Sequence, residues 1–149
     1  MLSLARGETI ELAAGLDRPM GIAVNSDGTV YVAEAGAGRV VKMSGGQKET
    51  LADGLGDPQG IALSGSNLYV IDDKTKELIE IPLAGGGLRR IVASNLPVGA
   101  PPGVIPRLLG GVGDLCGPMH TFTGVAAGLD GSIYVSGDGE GSVLALTPG

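Results

Sequence analysis

The stretch that decides the fold runs from Pro19 to Lys42 and reads Pro-Met-Gly-Ile-Ala-Val-Asn-Ser-Asp-Gly-Thr-Val-Tyr-Val-Ala-Glu-Ala-Gly-Ala-Gly-Arg-Val-Val-Lys. Short runs of β-branched and apolar residues alternate with Gly-containing turns, and the Asp27-Gly28 pair is typical of a tight β-hairpin turn. The pattern predicts three antiparallel strands, and a fourth follows shortly after Lys42. The predicted strands cover residues 20–24, 29–33, 39–43 and 48–52.

The same pattern occurs twice more along the chain. Pro58 follows Pro19 by 39 residues, and residues 58–72 repeat the first two strands with their turn. Residues 123–136 repeat them again. Four strands every ~40 residues is the period of a propeller blade, whereas helical repeats of that length need a 3.6-residue spacing. The sequence therefore predicts an all-β β-propeller with three four-stranded blades per chain. Their approximate boundaries are 13–52, 53–93 and 94–149.

The third copy has no fourth strand after residue 147, but the start of the chain has an unassigned one. Residues 7–16 match residues 46–55, so a strand is predicted over 9–13. Propellers close with roughly four to eight blades, and three blades leave open apolar edges. We therefore predict a homodimer with a six-bladed ring, in which strand 9–13 completes the last blade of the partner chain. The alternative is that the three blades are part of a longer six-bladed chain.

An insert separates the third copy from the second. Gly124 follows Gly60 by 64 residues instead of 39, and the additional residues cover about 97–119. This insert holds five of the nine prolines and is apolar for a loop. Long ordered loops on rigid scaffolds are often functional, so the insert is predicted either to cover a binding site or to pack against a domain or a second subunit.

Composition excludes several classes of function. Aromatic residues make up 3% of the 149 residues and there is no Trp, which argues against sites that stack sugars or bases. The net charge is −6, and the largest basic cluster is the pair Arg89-Arg90, so neither nucleic acid nor an anionic membrane is an expected partner.

Cys116 stands alone, which excludes an intrachain disulfide and favours an inert thiol. The sequence shows neither a signal-peptide core nor a membrane span, so we expect a cytoplasmic protein, or a secreted one if a signal segment was removed.

The repeated motif is Pro-x-Gly-Ile-Ala-(Val/Leu), a turn, Tyr-Val-x-(Glu/Asp) and then, in the first copy, Arg-Val. It resembles the NHL repeat, and it is similar to the wider six-bladed group that contains the gluconolactonase and senescence-marker hydrolases, virginiamycin lyase and strictosidine-synthase-like proteins. Copies one and two carry the motif well, and copy three carries it in part because His120-Thr-Phe-Thr-Gly124 replaces its start. The resemblance implies a six-bladed propeller, and the metal-dependent hydrolases imply an oxygen-ligated divalent cation, often calcium, in the central channel. Their Glu-Gly-Pro and Asn-Gly ligand segments do not occur in this sequence.

One face of the predicted propeller collects the chemically active residues. In an up-and-down blade, the loop before strand one and the loop between strands two and three lie at the same edge. These loops hold eight of the sixteen acidic residues, the single His and the single Cys. The residues on this face are Asp17, Arg18, Glu34, Asp57, Asp72, Asp73, Asp114, Cys116, His120, Asp138 and Glu140.

Within this face, the acids at the ends of the second strands occupy equivalent repeat positions. Glu34 matches Asp72, and Asp73 matches Asp138. Converging carboxylates bind a hard cation through oxygen, so these four residues and His120 are the predicted metal ligands, with calcium as the candidate ion. His120, Glu34 and Asp72 are the predicted catalytic residues, with His120 as the candidate general base. The alternative is that the acids are solvated or cap neighbouring amides, and that His120 is a loop or interface residue.

The predicted function is a metal-assisted hydrolase of small esters, lactones or phosphotriesters in the central channel of the dimeric propeller. A small molecule and a second copy of the chain are the expected partners. The alternative is a non-catalytic binding or scaffold propeller of the NHL type, since the sequence contains no complete catalytic motif. A lyase similar to virginiamycin lyase would use the same residues and is the third interpretation.

Overall fold

A computed structural model describes residues 9–84, 88–99 and 123–148. The described chain forms three antiparallel sheets with the strands in sequence order. The first sheet comprises β1 (Pro19–Val24), β2 (Val30–Glu34), β3 (Arg39–Ser44) and β4 (Gln47–Ala52). The second comprises β5 (Pro58–Ser64), β6 (Asn67–Asp72), β7 (Glu77–Pro82) and β8 (Arg90–Ala93). The third comprises β9 (Val125–Ala127), β10 (Ile133–Gly137) and β11 (Ser142–Leu146).

The register confirms that the sheets are copies of one unit. Val32 pairs with Val41 in the first sheet, and Val70 pairs with Ile79 at the same place in the second. The second strand starts one residue later than predicted, because the carbonyl of Thr29 accepts a hydrogen bond from Asn25 and so belongs to the turn. The prediction of an all-β protein is confirmed, and the first two sheets have the predicted four antiparallel strands.

The third sheet has three strands among the described residues, and β11 lies at its edge. Residues 9–13 lie in no strand, although their alternating sequence predicts one. The side chains of Ile10 and Leu12 are largely exposed. The predicted strand is therefore not formed within the chain. Its place in a second copy stays a prediction, as does the six-bladed ring.

The core consists of apolar layers between the sheets. In β6, Leu68 and Val70 face the first sheet in one cluster, whereas Ile71 packs with Ile133 and Val135 of the third sheet in another. Successive side chains of a strand point to opposite faces, so a central strand needs apolar residues at consecutive positions to fill both layers. The run Leu68-Tyr-Val-Ile71 meets this need and fixes the second sheet between its two neighbours.

The inner strands approach each other closely at two glycines. A Cβ atom added at Gly21 would collide with the carbonyl oxygen of Gln59, and one at Gly60 would collide with that of Thr123. Both glycines belong to the Pro-x-Gly motif of the first two copies. The motif therefore contains Gly because the backbone of the next blade occupies the space of a side chain.

In the part of the chain that is described, no helix has the length and the apolar character needed to cross a membrane.

The burial of Leu68 provides a test of the layered core. Leu68→Ala should destabilise the fold by about 2–5 kcal/mol, because the side chain is fully buried between two sheets and truncation leaves a cavity. Leu88→Ala is the matched control, since Leu88 is 91% exposed and its loss should cost less than about 0.5 kcal/mol. Urea unfolding followed by circular dichroism measures both values. Equal destabilisation by the two variants would contradict the layered arrangement.

Candidate functional site

A buried carboxylate at the end of β2 holds the loop that precedes β1. The loop before the first strand of each blade is called here the leading loop. Glu34 is fully buried, and its Oε1 accepts a hydrogen bond of 2.8 Å from the backbone N–H of Asp17. The guanidinium of Arg39 donates to both Glu34 oxygens, with a shortest distance of 2.6 Å. The Arg39 hydrogen bond holds the pKa of Glu34 below its ordinary value, and burial opposes this effect. Glu34 is therefore an ionised structural group.

Asp72 occupies the same position in the second sheet and is also buried. Its Oδ2 accepts the N–H of Gly56 at 2.6 Å, and its Oδ1 accepts the N–H of Asp57 at 2.9 Å. The N–H groups of Lys74 and Thr75 point to the same Oδ1 at 3.1 and 3.2 Å. The structure thus places both Glu34 and Asp72 as acceptors for main-chain amides, and four amides converge on Asp72 alone.

The neighbouring acidic position brings two carboxylates together. Asp138 accepts hydrogen bonds at Oδ1 from the N–H of Gly99 at 2.7 Å and from the hydroxyl of Thr123 at 3.4 Å. Asp73 packs against the same Gly99, where an added Cβ would lie 3.4 Å from Asp73 Oδ2. The Lys76 ammonium donates to the carbonyl of Val98 and so holds the segment that contains Val98 and Gly99.

Asp73 is the electrostatically unusual member of this pair. Its side chain is buried, and its Oδ1 has no hydrogen-bond partner among the described residues. Burial raises the pKa of Asp73 to about 6, the negative charge of Asp138 adds to the rise, and Thr123 opposes it. A buried carboxylate with an unpartnered oxygen and a perturbed pKa is a typical feature of functional sites.

The structure brings together two of the five predicted metal ligands, Asp73 and Asp138. Glu34 and Asp72 are engaged elsewhere, and His120 lies outside the described residues, together with Asp114 and Cys116. Residues 97–99 of the predicted insert are described and the rest of it is not. Within the described ranges, no three His, Cys, Asp or Glu side chains form a group that could hold a metal ion.

A pocket of about 300 Å³ is lined in part by Gly99, the residue that contacts both Asp138 and Asp73. Its lining includes Lys76, Pro97, Val98, Gly99, Gly139 and Glu140. A larger cleft of about 560 Å³ lies between the outer strands of the second sheet and the third sheet. That cleft contains Glu80, whose oxygens are already occupied by Arg90 and by the hydroxyl of Tyr69. The smaller pocket is therefore the better candidate for a ligand site.

Sequence reasoning missed two polar residues of the inner strands. Gln59 is fully buried, and neither atom of its amide group has a partner within the described part of the chain. Thr123 is its counterpart in the third copy and contacts the carboxylate of Asp138. Both occupy the x position of the Pro-x-Gly motif, where the first copy has Met20. A polar residue in an otherwise apolar inner strand was the signal that could have identified them.

The structural role of Asp72 predicts a loss of stability when it is removed. Asp72→Ala should destabilise the fold by about 3 kcal/mol, because four partly buried main-chain amides lose their shared acceptor. Asp57→Ala is the control, because it removes a partly exposed partner of Arg18 and should cost about 1 kcal/mol or less. Chemical denaturation measures the difference, and similar costs for both variants would argue against the capping role.

Removal of the buried charge of Asp73 is predicted to raise folding stability, whereas removal of Asp72 lowers it. The raised pKa means that ionised Asp73 lowers folding stability as the pH rises from 3.8 through about 6. Asp73→Asn should therefore raise the melting temperature at about pH 8 in the presence of a chelator, and the gain should shrink towards about pH 5. Thermal melts of both proteins across this range measure the effect. A gain that does not depend on pH would show that the buried charge is not its source.

Residues 16–43 match the NHL repeat family. No curated protein sequence matches the chain. Among solved structures, a Thermus thermophilus protein assigned as an oxidoreductase (glucose dehydrogenase) is 23% identical, with a TM-score of 0.67 over 93% of this chain and 47% of that one. The PQQ-bound aldose sugar dehydrogenase of Streptomyces coelicolor is 18% identical, with a TM-score of 0.61 over 92% of this chain and 46% of that one.

The calcium-binding protein regucalcin from Agrobacterium tumefaciens is 19% identical, with a TM-score of 0.59 over 85% of this chain and 40% of that one. At these identities the likeness concerns the fold alone. The chain spans less than half the length of each of these structures. The repeat at residues 16–43 and the propeller fold of the sheets confirm the resemblance found in the sequence. Residues 16–43 thus carry an NHL repeat, and the described sheets share the fold of these β-propeller structures.

Proposed function

We propose that the face carrying Asp73 and Asp138 binds a divalent cation and hydrolyses small esters, lactones or phosphotriesters. The observation that carries the proposal is the buried Asp73 carboxylate, which has an unpartnered oxygen and lies across Gly99 from Asp138. These two carboxylates from neighbouring blades repel each other when both are ionised, and a bound cation would relieve this repulsion. The site is thereby distinguished from Glu34 and Asp72, whose charges are already compensated by N–H donors.

The donor set suits a hard cation. Asp73 and Asp138 offer carboxylate oxygens and Thr123 offers a hydroxyl, and calcium accepts irregular cages made of such ligands. These residues would hold the ion, with further oxygen ligands needed to complete its coordination. Regucalcin, which shares the fold, is described as a calcium-binding protein, and this supports the same choice of ion.

The surrounding residues suit a small substrate. The cation would supply a Lewis acid for a carbonyl or phosphoryl oxygen and would lower the pKa of a bound water. The adjacent pocket of about 300 Å³ has room for a small ester or lactone. Lys76 fixes the turn at Val98 and keeps Gly99 against both carboxylates. His120 remains the proposed general base on the strength of the sequence alone.

The second candidate is a non-catalytic binding propeller of the NHL type. The observation that favours it is the structural use of Glu34 and Asp72, which leaves two carboxylates at the candidate site of the described chain. A binding module could use the acidic face to attract a basic ligand without performing chemistry on it. The two candidates differ in whether a cation is bound and whether an ester is cleaved.

Calcium titration by calorimetry, combined with a panel of small esters, lactones and phosphotriesters, tests the proposal. Asp73→Asn and Asp138→Asn should each weaken calcium binding by roughly tenfold or more, because each removes a charged ligand. Asp53→Asn removes an exposed charge outside the pair and should leave the affinity unchanged. Hydrolysis should disappear with a chelator and return with calcium.

Calcium binding without cleavage of any substrate would favour the binding module. Equal calcium affinity in Asp73→Asn and Asp53→Asn would overturn the assignment of the site. Hydrolysis that persists in the chelator would overturn the role of the cation.

A further inference from the structure

The chain contains the same inter-blade contact twice. The N–H of Leu55 donates to the carbonyl of Gly38 at 2.8 Å, and the N–H of Leu96 donates to the carbonyl of Lys76 at 3.0 Å. Gly38 and Lys76 occupy equivalent turn positions and share a left-handed backbone, with φ values of 61° and 62°. Each bond joins the leading loop of one blade to the preceding blade. The contact is therefore a repeated unit of the interface.

A third set of the same groups has no partner inside the described chain. Gly141 is the counterpart of Gly38 and has a φ of 68°. Leu16 is the counterpart of Leu55, but neither Leu16 nor Gly141 makes this bond within the described ranges. The N–H of Leu16 lies at the first blade and the carbonyl of Gly141 at the third. Each end of the three-sheet array therefore presents half of the contact.

The apolar side chains show the same division. Val40 and Leu78, equivalent residues of β3 and β7, are fully buried between blades, whereas their counterpart Val143 in β11 is 75% exposed. On the opposite side, Ile61 is 6% exposed but its counterpart Ile22 in β1 is 63% exposed. Residues that are core inside the array are surface at its two ends. The exposed halves match the two sides of an interface that the chain already forms twice.

The inner-strand glycines supply an independent observation. Gly21 and Gly60 each lie against a carbonyl oxygen of the following blade. Gly124 is their counterpart in the third blade, and the nearest atom to a Cβ added there is Ser136 Oγ at 3.5 Å, within the same blade. Gly124 is thus the glycine of the motif in the third blade, but within the described residues no backbone of another blade approaches it.

The edge strand β11 and the unpaired residues 9–13 complete the pattern. Residues 9–13 match residues 48–52, which form most of β4 on the edge of β3. In that pair Lys42 lies opposite Glu49, and the register shifts between Val40 and Val41. Transferred by the repeat, this register places Ile10 opposite Ala145 of β11.

We propose that these surfaces bind a second copy of this chain, which continues the existing inter-blade interface. Residues 9–13 of one copy pair with β11 of the other, and Leu16 donates to the partner copy at the carbonyl of Gly141. Because each copy offers one end of each kind, two contacts related by a two-fold axis close the assembly with six blades. Closure by the same chain's own residues 9–13 would give a ring of three blades, below the usual range.

The glycine provides a selective test. Light scattering during gel filtration should give the mass of two chains, each of 14.8 kDa, at micromolar concentration. Gly124→Ala should weaken association by roughly tenfold or more, because the methyl meets the partner's backbone twice in a two-fold dimer. Within one chain the methyl has ordinary space, so circular dichroism should show a folded β protein. A folded wild-type protein with the mass of one chain, or open assemblies larger than two, would overturn the proposal.

Cross-linking tests the register without relying on Gly124→Ala. In a Cys116→Ser background, Ile10→Cys and Ala145→Cys are made in separate proteins and then mixed under mild oxidation. Opposed residues of an antiparallel pair lie within disulfide range, so the mixture should give a covalent heterodimer. Ile10→Cys mixed with Leu129→Cys is the control, since Leu129 is exposed in a hairpin turn away from β11. Equal cross-linking in both mixtures would overturn the proposed strand pairing.

Discussion

A buried carboxylate at the end of the second strand makes the hydrogen bonds on which the first two blades depend. Glu34 and Asp72 accept main-chain N–H groups from the leading loop, where the chain crosses from one blade to the next. Without such an acceptor, these partly buried amides would lose their hydrogen bonds, at a cost of about 0.5–1.5 kcal/mol each. The carboxylate thus fixes the start of the first strand, and this strand determines how closely consecutive blades pack. In the first two copies of the repeat, the acid at this position therefore has a structural role as an acceptor of main-chain N–H groups.

Departure from the repeat creates the candidate site. The third blade has Gly137 where the first two have Glu34 and Asp72, so its second strand ends without the capping acid. Asp138, one residue later, binds the N–H of Gly99 in the leading loop instead. This substitution brings Asp138 close to Asp73, which belongs to the second blade and is not needed for capping. Two acids from neighbouring blades therefore converge at a turn, where a regular repeat would have kept them apart.

Much of the fold could be predicted from the sequence, whereas the roles of individual acids could not. The strand pattern and the Asp27-Gly28 turn depend on local steric and apolar preferences, which residue types record directly. The shared face of Glu34, Asp72 and Asp73 follows from blade topology. The sequence does not show which carboxylate oxygens accept hydrogen bonds from main-chain N–H groups. Asp72 and Asp73 are adjacent, yet one accepts four amides and the other keeps an unpartnered oxygen, because successive residues point in different directions.

The array also explains why its ends are apolar. In a repeat protein, each unit buries its faces against its neighbours, and a terminal unit retains one face without a neighbour unless its sequence diverges into a polar cap. Here the terminal faces have not diverged, since Ile22 and Val143 keep the apolar character of their buried counterparts Ile61 and Leu78. An edge strand such as β11 with exposed apolar residues would invite irregular association. A sequence that retains both faces, together with a strand that matches the open edge, is therefore consistent with a specific occupant for each end.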